Sequence, residues 1–371
     1  IAFGQAVYYV ANSWVSVTGG PAGIYDISRP MWLGKEMTRV QYFYLIGAIV
    51  VVLQVLVNNL LKHKWGRTLN ALSGSEVAAK TVGINVIYYK TIAFAISAAF
   101  AGIAGALFSH QSGYLNSDSF VFDVSVQFIV AVLLGGAGTT LGPFVGSVIL
   151  VFLSHFTAKA VDYRLIIYGG LLLYTVLIIP DGIVGTLENK VFRKNGKKVK
   201  TEDGVAKAGD ISLLEFIKIP IGKGVLLVIE GVSKIFGITG RDKRAGLRAL
   251  DSVDMNVVSG TIHGLIGPNG SGKTTMINVI TGIYTPDEGK VFWCGEDVSR
   301  CTPDDMANRD ITRTFQNIRL FGKLTVIENV MCGFQRHMKA TFLECLLNTQ
   351  RVQEEEMIYR EKAMKLLEFM G

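Results

Sequence analysis

Residues 40–61, VQYFYLIGAIVVVLQVLVNNLL, run for 22 positions without an Asp, Glu, Lys or Arg. Wound as an α-helix at about 1.5 Å per residue, such a stretch spans roughly 33 Å, enough to cross a hydrocarbon layer about 30 Å thick. A charge at its centre would cost about 2.5–3.5 kcal/mol, so a stretch this clean points to lipid. Further uncharged stretches follow. Thr91–Phe108 is rich in small residues, with Ala98, Gly102 and Ala106 four apart on one helix face, a spacing that lets helices pack closely. Residues 124–158 are free of charge but broken by GGAGTTLGP, which fits two spans with a Gly-rich turn or discontinuous helices. Residues 165–180 make a last span closed by Pro180.

The charge is distributed accordingly. Of 37 Lys and Arg and 30 Asp and Glu, only 16 precede residue 181. That divides the chain into a transmembrane domain, 1–185, a basic linker, 186–225, and a second domain, 226–371. The net charge of +7 does not imply nucleic acid, because Lys190, Arg193, Lys194, Lys197, Lys198 and Lys200 cluster beside the last span. Such a run is a topology and lipid-headgroup signal. It places the linker in the cytoplasm, together with the loop that carries Lys62, Lys64, Arg67, Lys80 and Lys90; five crossings between 40 and 180 put both on one side. The four cysteines have no CxxC spacing, so neither zinc nor a disulfide framework is expected. The chain opens on Ile1 inside an apolar segment and reads as an internal fragment.

The second domain carries GPNGSGKTT, Gly267 to Thr275, which satisfies G-x-x-x-x-G-K-[ST] between an apolar strand-like TIHGLI and a helical TTMINVITGI. Glycines at Gly267, Gly270 and Gly272 let the backbone curl so that the N–H groups of this loop, Asn269 and Ser271 included, converge on phosphate oxygens. The following helix N-terminus adds favourable dipole charge there. Lys273 is expected to neutralise the β and γ phosphates, the Thr274 hydroxyl to ligate Mg2+, and Thr275 to complete the cradle. LLVIEGVSKIF is expected to be a strand, and ALDSVDMNVVSGTIHGLIG two more with a turn at Ser259–Gly260.

The residues downstream narrow the class. TGIYTPDEGKVFWCGEDV followed by ITRTFQNIRLFGKLTVIENV resembles the ATP-binding domains of ABC transporters, with Gln316 in the place of their Q-loop glutamine, 43 residues after Lys273. The resemblance gives Gln316 a catalytic and Mg2+-sensing role and makes Phe236 a candidate to stack on adenine. ITGRDKRAGLRAL looks like an insertion beside Phe236. In the first domain, LSGSEVAAKTVGIN places Glu76, Ala78, Ala79 and Gly83 in the E-x-A-A-x-x-x-G pattern by which importer permeases contact their ATPase.

Taken together the chain is similar to branched-chain amino acid ABC importers, a permease fused to its ATP-binding subunit. The permease resemblance rests on NSWVSVTGGPAGI, GRTLNALSGSEVAAKTVGINVIYYK, LLGGAGTTLGPFVGSVIL and YRLIIYGGLLL. It implies an α-helical transmembrane domain followed by an α/β P-loop domain, with ATP and Mg2+ as cofactors. It also implies a multi-pass protein of the cytoplasmic membrane with three partners: a second permease subunit, a second ATP-binding domain and a periplasmic substrate-binding protein. Urea or short amides are an alternative cargo, and a membrane-anchored P-loop regulator is an alternative of another class. The signature sequence, Walker B carboxylates and switch histidine of the family are not found in the sequence, so these 371 residues alone are not expected to complete hydrolysis.

Overall fold

A computed structural model describes residues 2–156, 163–187, 224–237, 246–316 and 319–370. They form two compact units: Ile1–Asn58 with Ala95–Asp203, and Asn59–Phe94 with Gly204–Gly371. The division departs from the one read from charge, because residues 59–94 pack with the nucleotide-binding part. Most of the linker and of the insertion after Phe236 lies outside the described residues.

The first unit is helical. Helices α1 (Ala2–Ser13) and α2 (Val15–Thr18) precede two short strands, β1 (Ile24–Tyr25) and β2 (Met31–Trp32), and β3 (Lys35–Glu36) pairs with β2. Helix α3 covers Arg39–Lys62, so the uncharged stretch is bounded by a charge at each end. Next come α4 (Lys64–Gly74) and α5 (Glu76–Thr81), and then α6 (Val86–Ser112) follows. Helix α6 begins five residues before Thr91 and takes in Lys90. Strand β4 (Tyr114–Leu115) pairs with β1.

Residues 124–158 resolve into α7 (Phe122–Gly135) and α8 (Gly142–Phe156), joined by the Gly-rich turn. Small residues let the two backbones touch: a Cβ on Gly146 would stand 1.8 Å from the Ala131 carbonyl oxygen. At 14 and 15 residues, each helix is about 21–23 Å long, short of a full crossing at about 1.5 Å per residue. Helix α9 (Arg164–Ile178) packs on α7, with Tyr168 buried among Val130, Ala131 and Leu150 and its hydroxyl 2.8 Å from Ser154 Oγ. The apolar stretch continues through Pro180 to Leu187. Four helical stretches are long and apolar enough to cross a membrane, Arg39–Lys62, Val86–Ser112, Ser117–Gly135 and Ile166–Leu187, and Gly142–Phe156 is a shorter one. On the small-residue face of α6, Ala98, Gly102 and Ala106 are exposed within this chain, and no other part of the described residues comes within 4 Å of a Cβ built on Gly102.

The second unit is built on a four-stranded antiparallel sheet in the order β6-β5-β7-β8, from β5 (Val225–Phe236), β6 (Leu247–Val258), β7 (Glu288–Trp293) and β8 (Glu296–Asp297). Strand β5 is central. It turns Leu227 and Ile229 into the core, then a register shift between Ile229 and Val232 brings Val232 inward at the other parity. A one-residue bulge exchanges the faces of a strand, which is how the inward positions change from odd to even. The core these residues form is completed by Leu250, Met276, Val279, Val291, Val298 and Met306.

Helix α10 (Lys273–Ile280) and α11 (Pro303–Asn308) supply Met276, Val279 and Met306 to that core. Helices α12 (Val326–Gly333), α13 (Phe342–Leu347) and α14 (Gln350–Met370) follow. Thr302, Thr325 and Thr341 each cap a helix and receive a carboxylate back from the third residue on, Asp305, Glu328 and Glu344. These reciprocal caps satisfy two otherwise orphaned N–H groups at each helix start.

One expectation fails. Thr261–Ile266 is extended but pairs with no strand, and Ile262 and Ile266 lie open to solvent. A strand needs a neighbour for its N–H and C=O groups, and no described strand runs beside this one.

Candidate nucleotide site and its docking loop

The phosphate loop leads directly into α10. Gly270 and Gly272 turn at φ 87° and 85°, and Gly272 is the N-cap of the helix. A Cβ at Gly272 would meet the Ala249 carbonyl oxygen at 2.4 Å, so both its backbone angle and its seat against β6 require glycine. Within the loop, the Ser271 N–H donates to the Pro268 carbonyl at 3.2 Å. The first backbone bond into the helix is Met276 N–H to the Gly272 carbonyl at 2.8 Å. The N–H groups of Lys273, Thr274 and Thr275 precede it, in the first turn where a helix offers donors and positive dipole charge to an anion. The Lys273 ammonium folds back onto the loop, donating to the Gly267 and Pro268 carbonyls at 2.8 and 2.7 Å. Asn269, Ser271 and Thr274 are exposed. This donor set of backbone N–H groups, one ammonium and hydroxyls suits a polyphosphate and, through Thr274, a hard cation.

Phe236 is half-buried at the end of β5, paired in register with Leu247, with its ring edge-on to Tyr284 at 5.2 Å between centroids. Leu247 lies two residues from Ala249, against which Gly272 sits, so Phe236 stands at the phosphate-loop end of the β5–β6 hairpin. Gln316 is exposed. The segment before it is fixed to the phosphate-loop helix by Arg313, whose guanidinium donates to Asn278 Oδ1 on α10. Phe315, beside Gln316, lies under the Arg313 and Arg319 guanidinium groups at 5.4 and 5.2 Å.

The loop between α3 and α6 seats against two parts of the nucleotide domain. Helix α5 is capped by Ser75, which accepts from the Ala78 N–H, and Ala78 and Ala79 are buried. Gly83 follows at φ 85°, and a Cβ there would lie 3.3 Å from Asn308 Oδ1 and 3.7 Å from Ala307 Cβ, at the end of α11. Glu76 does not reach the nucleotide domain. Its carboxylate pairs with Lys90 on α6, and that partner holds it below the usual carboxylate range. Helix α11 is in turn tied down by Arg336, which donates to the Ala307 carbonyl and pairs with Asp310 at 2.6 Å.

The second seat was not read from the sequence. Arg67 on α4 makes a two-pronged ion pair with Glu356 on α14 at 2.5 and 2.9 Å, with side-chain exposures of only 5% and 15%. Beside it, Gln335 Nε2 donates to Thr68 Oγ1 at 2.5 Å and Tyr89 Oη at 3.3 Å, and Lys64 donates to the Met338 carbonyl at 2.5 Å. Burial lowers the pKa of the Lys64 ammonium. Trp65 packs edge-on against Phe342 at 5.1 Å and Tyr89 at 4.6 Å. Arg67 and Lys64 sat in plain view as loop charges, but their partners lie more than 270 residues away, beyond any local pattern.

Comparison with known proteins accords with this arrangement. Residues 1–177 match the family described as branched-chain amino acid transport system / permease component, and residues 250–368 match the ABC transporter family. The high-affinity branched-chain amino acid transport system permease protein LivM of Escherichia coli is 30% identical over 220 residues, covering 53% of this chain and 52% of LivM. The probable branched-chain amino acid transport ATP-binding protein LivG of Archaeoglobus fulgidus is 39% identical over 145 residues, covering 39% of this chain and 52% of LivG. BraF of Pseudomonas aeruginosa, a high-affinity branched-chain amino acid transport ATP-binding protein, is 34% identical over 143 residues, covering 38% of this chain and 53% of BraF. Among solved structures, a nucleotide-free ATP-binding cassette from an ABC transporter is 36% identical and covers 39% of this chain and 53% of that one, at a TM-score of 0.30. The chain spans about half the length of the curated relatives it matches.

Proposed function

We propose that the chain joins a permease domain like those of branched-chain amino acid transport systems to an ABC transporter ATP-binding domain, and that it is a component of an ATP-driven importer of branched-chain amino acids. The observation that carries the reading is the seating of loop 59–94 on the nucleotide domain within one compact unit. A loop held between two membrane-crossing helices transmits movement of that domain to the spans.

Gly267, Gly270, Gly272 and the first-turn N–H groups of α10 hold the phosphates, with Lys273 leaving the Gly267 and Pro268 carbonyls to meet them. Thr274 and Gln316 take Mg2+, which supplies charge neutralisation at the phosphates when bound. Gln316 orients the attacking water, Phe236 packs against the base, and Ala78, Ala79 and Gly83 carry closure to the permease while Glu76 braces α5 on α6. The transporter is completed by a second permease subunit, a second ATP-binding domain and a periplasmic substrate-binding protein, in the cytoplasmic membrane with the nucleotide domain inside. That topology has α7 and α8 either both crossing or returning as a pair, since either leaves an odd count of crossings after residue 40.

The test is uptake of labelled leucine into vesicles that contain the full-length chain with its partners. ATP-dependent uptake that unlabelled isoleucine and valine compete and urea does not is the expected result. Uptake competed by urea instead would overturn the cargo, and uptake indifferent to ATP would overturn the mechanism.

A further inference from the structure

The seat on α4 has features that a passive contact lacks. Arg67 is almost fully buried and uses both terminal guanidinium nitrogens on Glu356, a geometry specific to arginine and carboxylate. It lies on α4, while its partner is on α14. The α5 seat bears on α11, whose Met306 belongs to the sheet core. The α4 seat bears instead on α13, α14 and Gln335, just past α12, and it extends to the end of α3, where Asn59 donates to the Leu346 carbonyl at 3.4 Å and His63 Nε2 lies 2.8 Å from Asn348 Oδ1. The loop therefore bears both on α11 and on the α12–α14 region, which Arg336 ties together through the Ala307 carbonyl and Asp310. Two atoms at the α4 seat have no hydrogen-bond partner among the described residues: the donor Arg67 Nε and the acceptor Gln335 Oε1.

We propose that α4 is a second docking element, that the Arg67–Glu356 pair is its latch, and that it closes within one chain, so that the fused nucleotide domain drives its own permease half. The proposal deepens the coupling role above and rests on it. Arg67 is a positioning residue: it touches neither nucleotide nor cargo and acts by holding α14 to α4.

Two experiments on the full-length chain with its partners in vesicles decide it. In the first, Arg67→Glu and Glu356→Arg are made singly and together, and labelled leucine moved per ATP hydrolysed is measured. Each single reversal is expected to lower that ratio at least fivefold while hydrolysis persists, and the double reversal to recover at least half of it. Ratios unchanged in the singles, or a double variant no better than either single, would overturn the latch; a merely structural role would lower protein yield and leave the ratio alone. In the second, Thr68→Cys and Gln335→Cys are combined in a background without the four native cysteines and oxidised. Non-reducing peptide mapping of the band at the mass of one chain is expected to find the two cysteines joined, and joined peptides only in a band at twice that mass, or free thiols at both sites, would overturn closure within the chain. Cross-linking needs no cargo, so it judges the latch even if leucine is not moved, a failure that would fall on the proposed cargo alone.

Discussion

Lys273 donates its ammonium protons to the carbonyls of Gly267 and Pro268, at 2.8 and 2.7 Å, across the loop that it is proposed to serve. The ammonium is thereby stored beside the place where phosphate oxygens would bind. Lys273→Ala should weaken ATP binding by about 10- to 100-fold, the equivalent of one charge-assisted hydrogen bond of about 1.5–3 kcal/mol. Titration of the full-length chain with a fluorescent ATP analogue checks this, and equal affinity in the variant would remove Lys273 from the site.

Gly83 is required both by its left-handed backbone and by Asn308. Gly83→Ala should cost roughly 1–2 kcal/mol from the backbone alone, with Asn308 Oδ1 crowding the new methyl. Leucine transport per ATP should fall severalfold, and adding Asn308→Ala should recover only the crowding part. Complete recovery by the double variant would show that the φ of 85° is unimportant.

Thr302 holds α11 under the α5 seat through its reciprocal bonds with Asp305. Thr302→Ala should lower stability by about 1 kcal/mol, as loss of an N-cap does. A denaturant midpoint identical to that of the parent chain would mean that α11 is held by its core contacts instead.

The cysteines should divide by reactivity. Burial pushes the Cys332 thiol up to about 12 and Cys345 up to about 11. The thiolate is the reacting form, so at pH 8 both sites are protonated as well as covered. Brief maleimide treatment followed by mass mapping should find Cys294, which is exposed, modified well before either. Prompt labelling of Cys332 would show that the α12 region opens readily.

The spans and the phosphate loop were legible because each rests on a local pattern. An uncharged run of one helix length announces α3, and a fixed spacing of glycines and lysine announces the loop before α10. The starts of α11, α12 and α13 carry a local mark of the same kind, a threonine with an acid three residues on, which the reading of the sequence did not use. The docking loop was legible at Ala78, Ala79 and Gly83 only through resemblance, and its stronger half was not legible at all. Nothing near Arg67 distinguishes it from a topology charge, and Glu356 is one of several acids on an amphipathic helix. Glu76 has the basic partner that its place in the motif allows, but that partner is Lys90 on α6, brought to it by the turn from α5.

TIHGLI was misread for a physical reason. Its pattern is that of a strand, but pairing is a property of two segments, and a pattern in one of them cannot supply the other. Ile262 and Ile266 lie open to solvent, and no described strand pairs with the segment that carries them.

Among the described residues the phosphate loop is held from one side only. On its far side it is anchored by α10, with Gly272 seated against the Ala249 carbonyl and Met276 and Val279 in the sheet core. On its near side it leads in from Thr261–Ile266, whose isoleucines are bare. The position of the cradle is therefore set by the hairpin and helix behind it, and a change at Ala249 or Met276 should reach the loop before any change at Ile262 or Ile266 does.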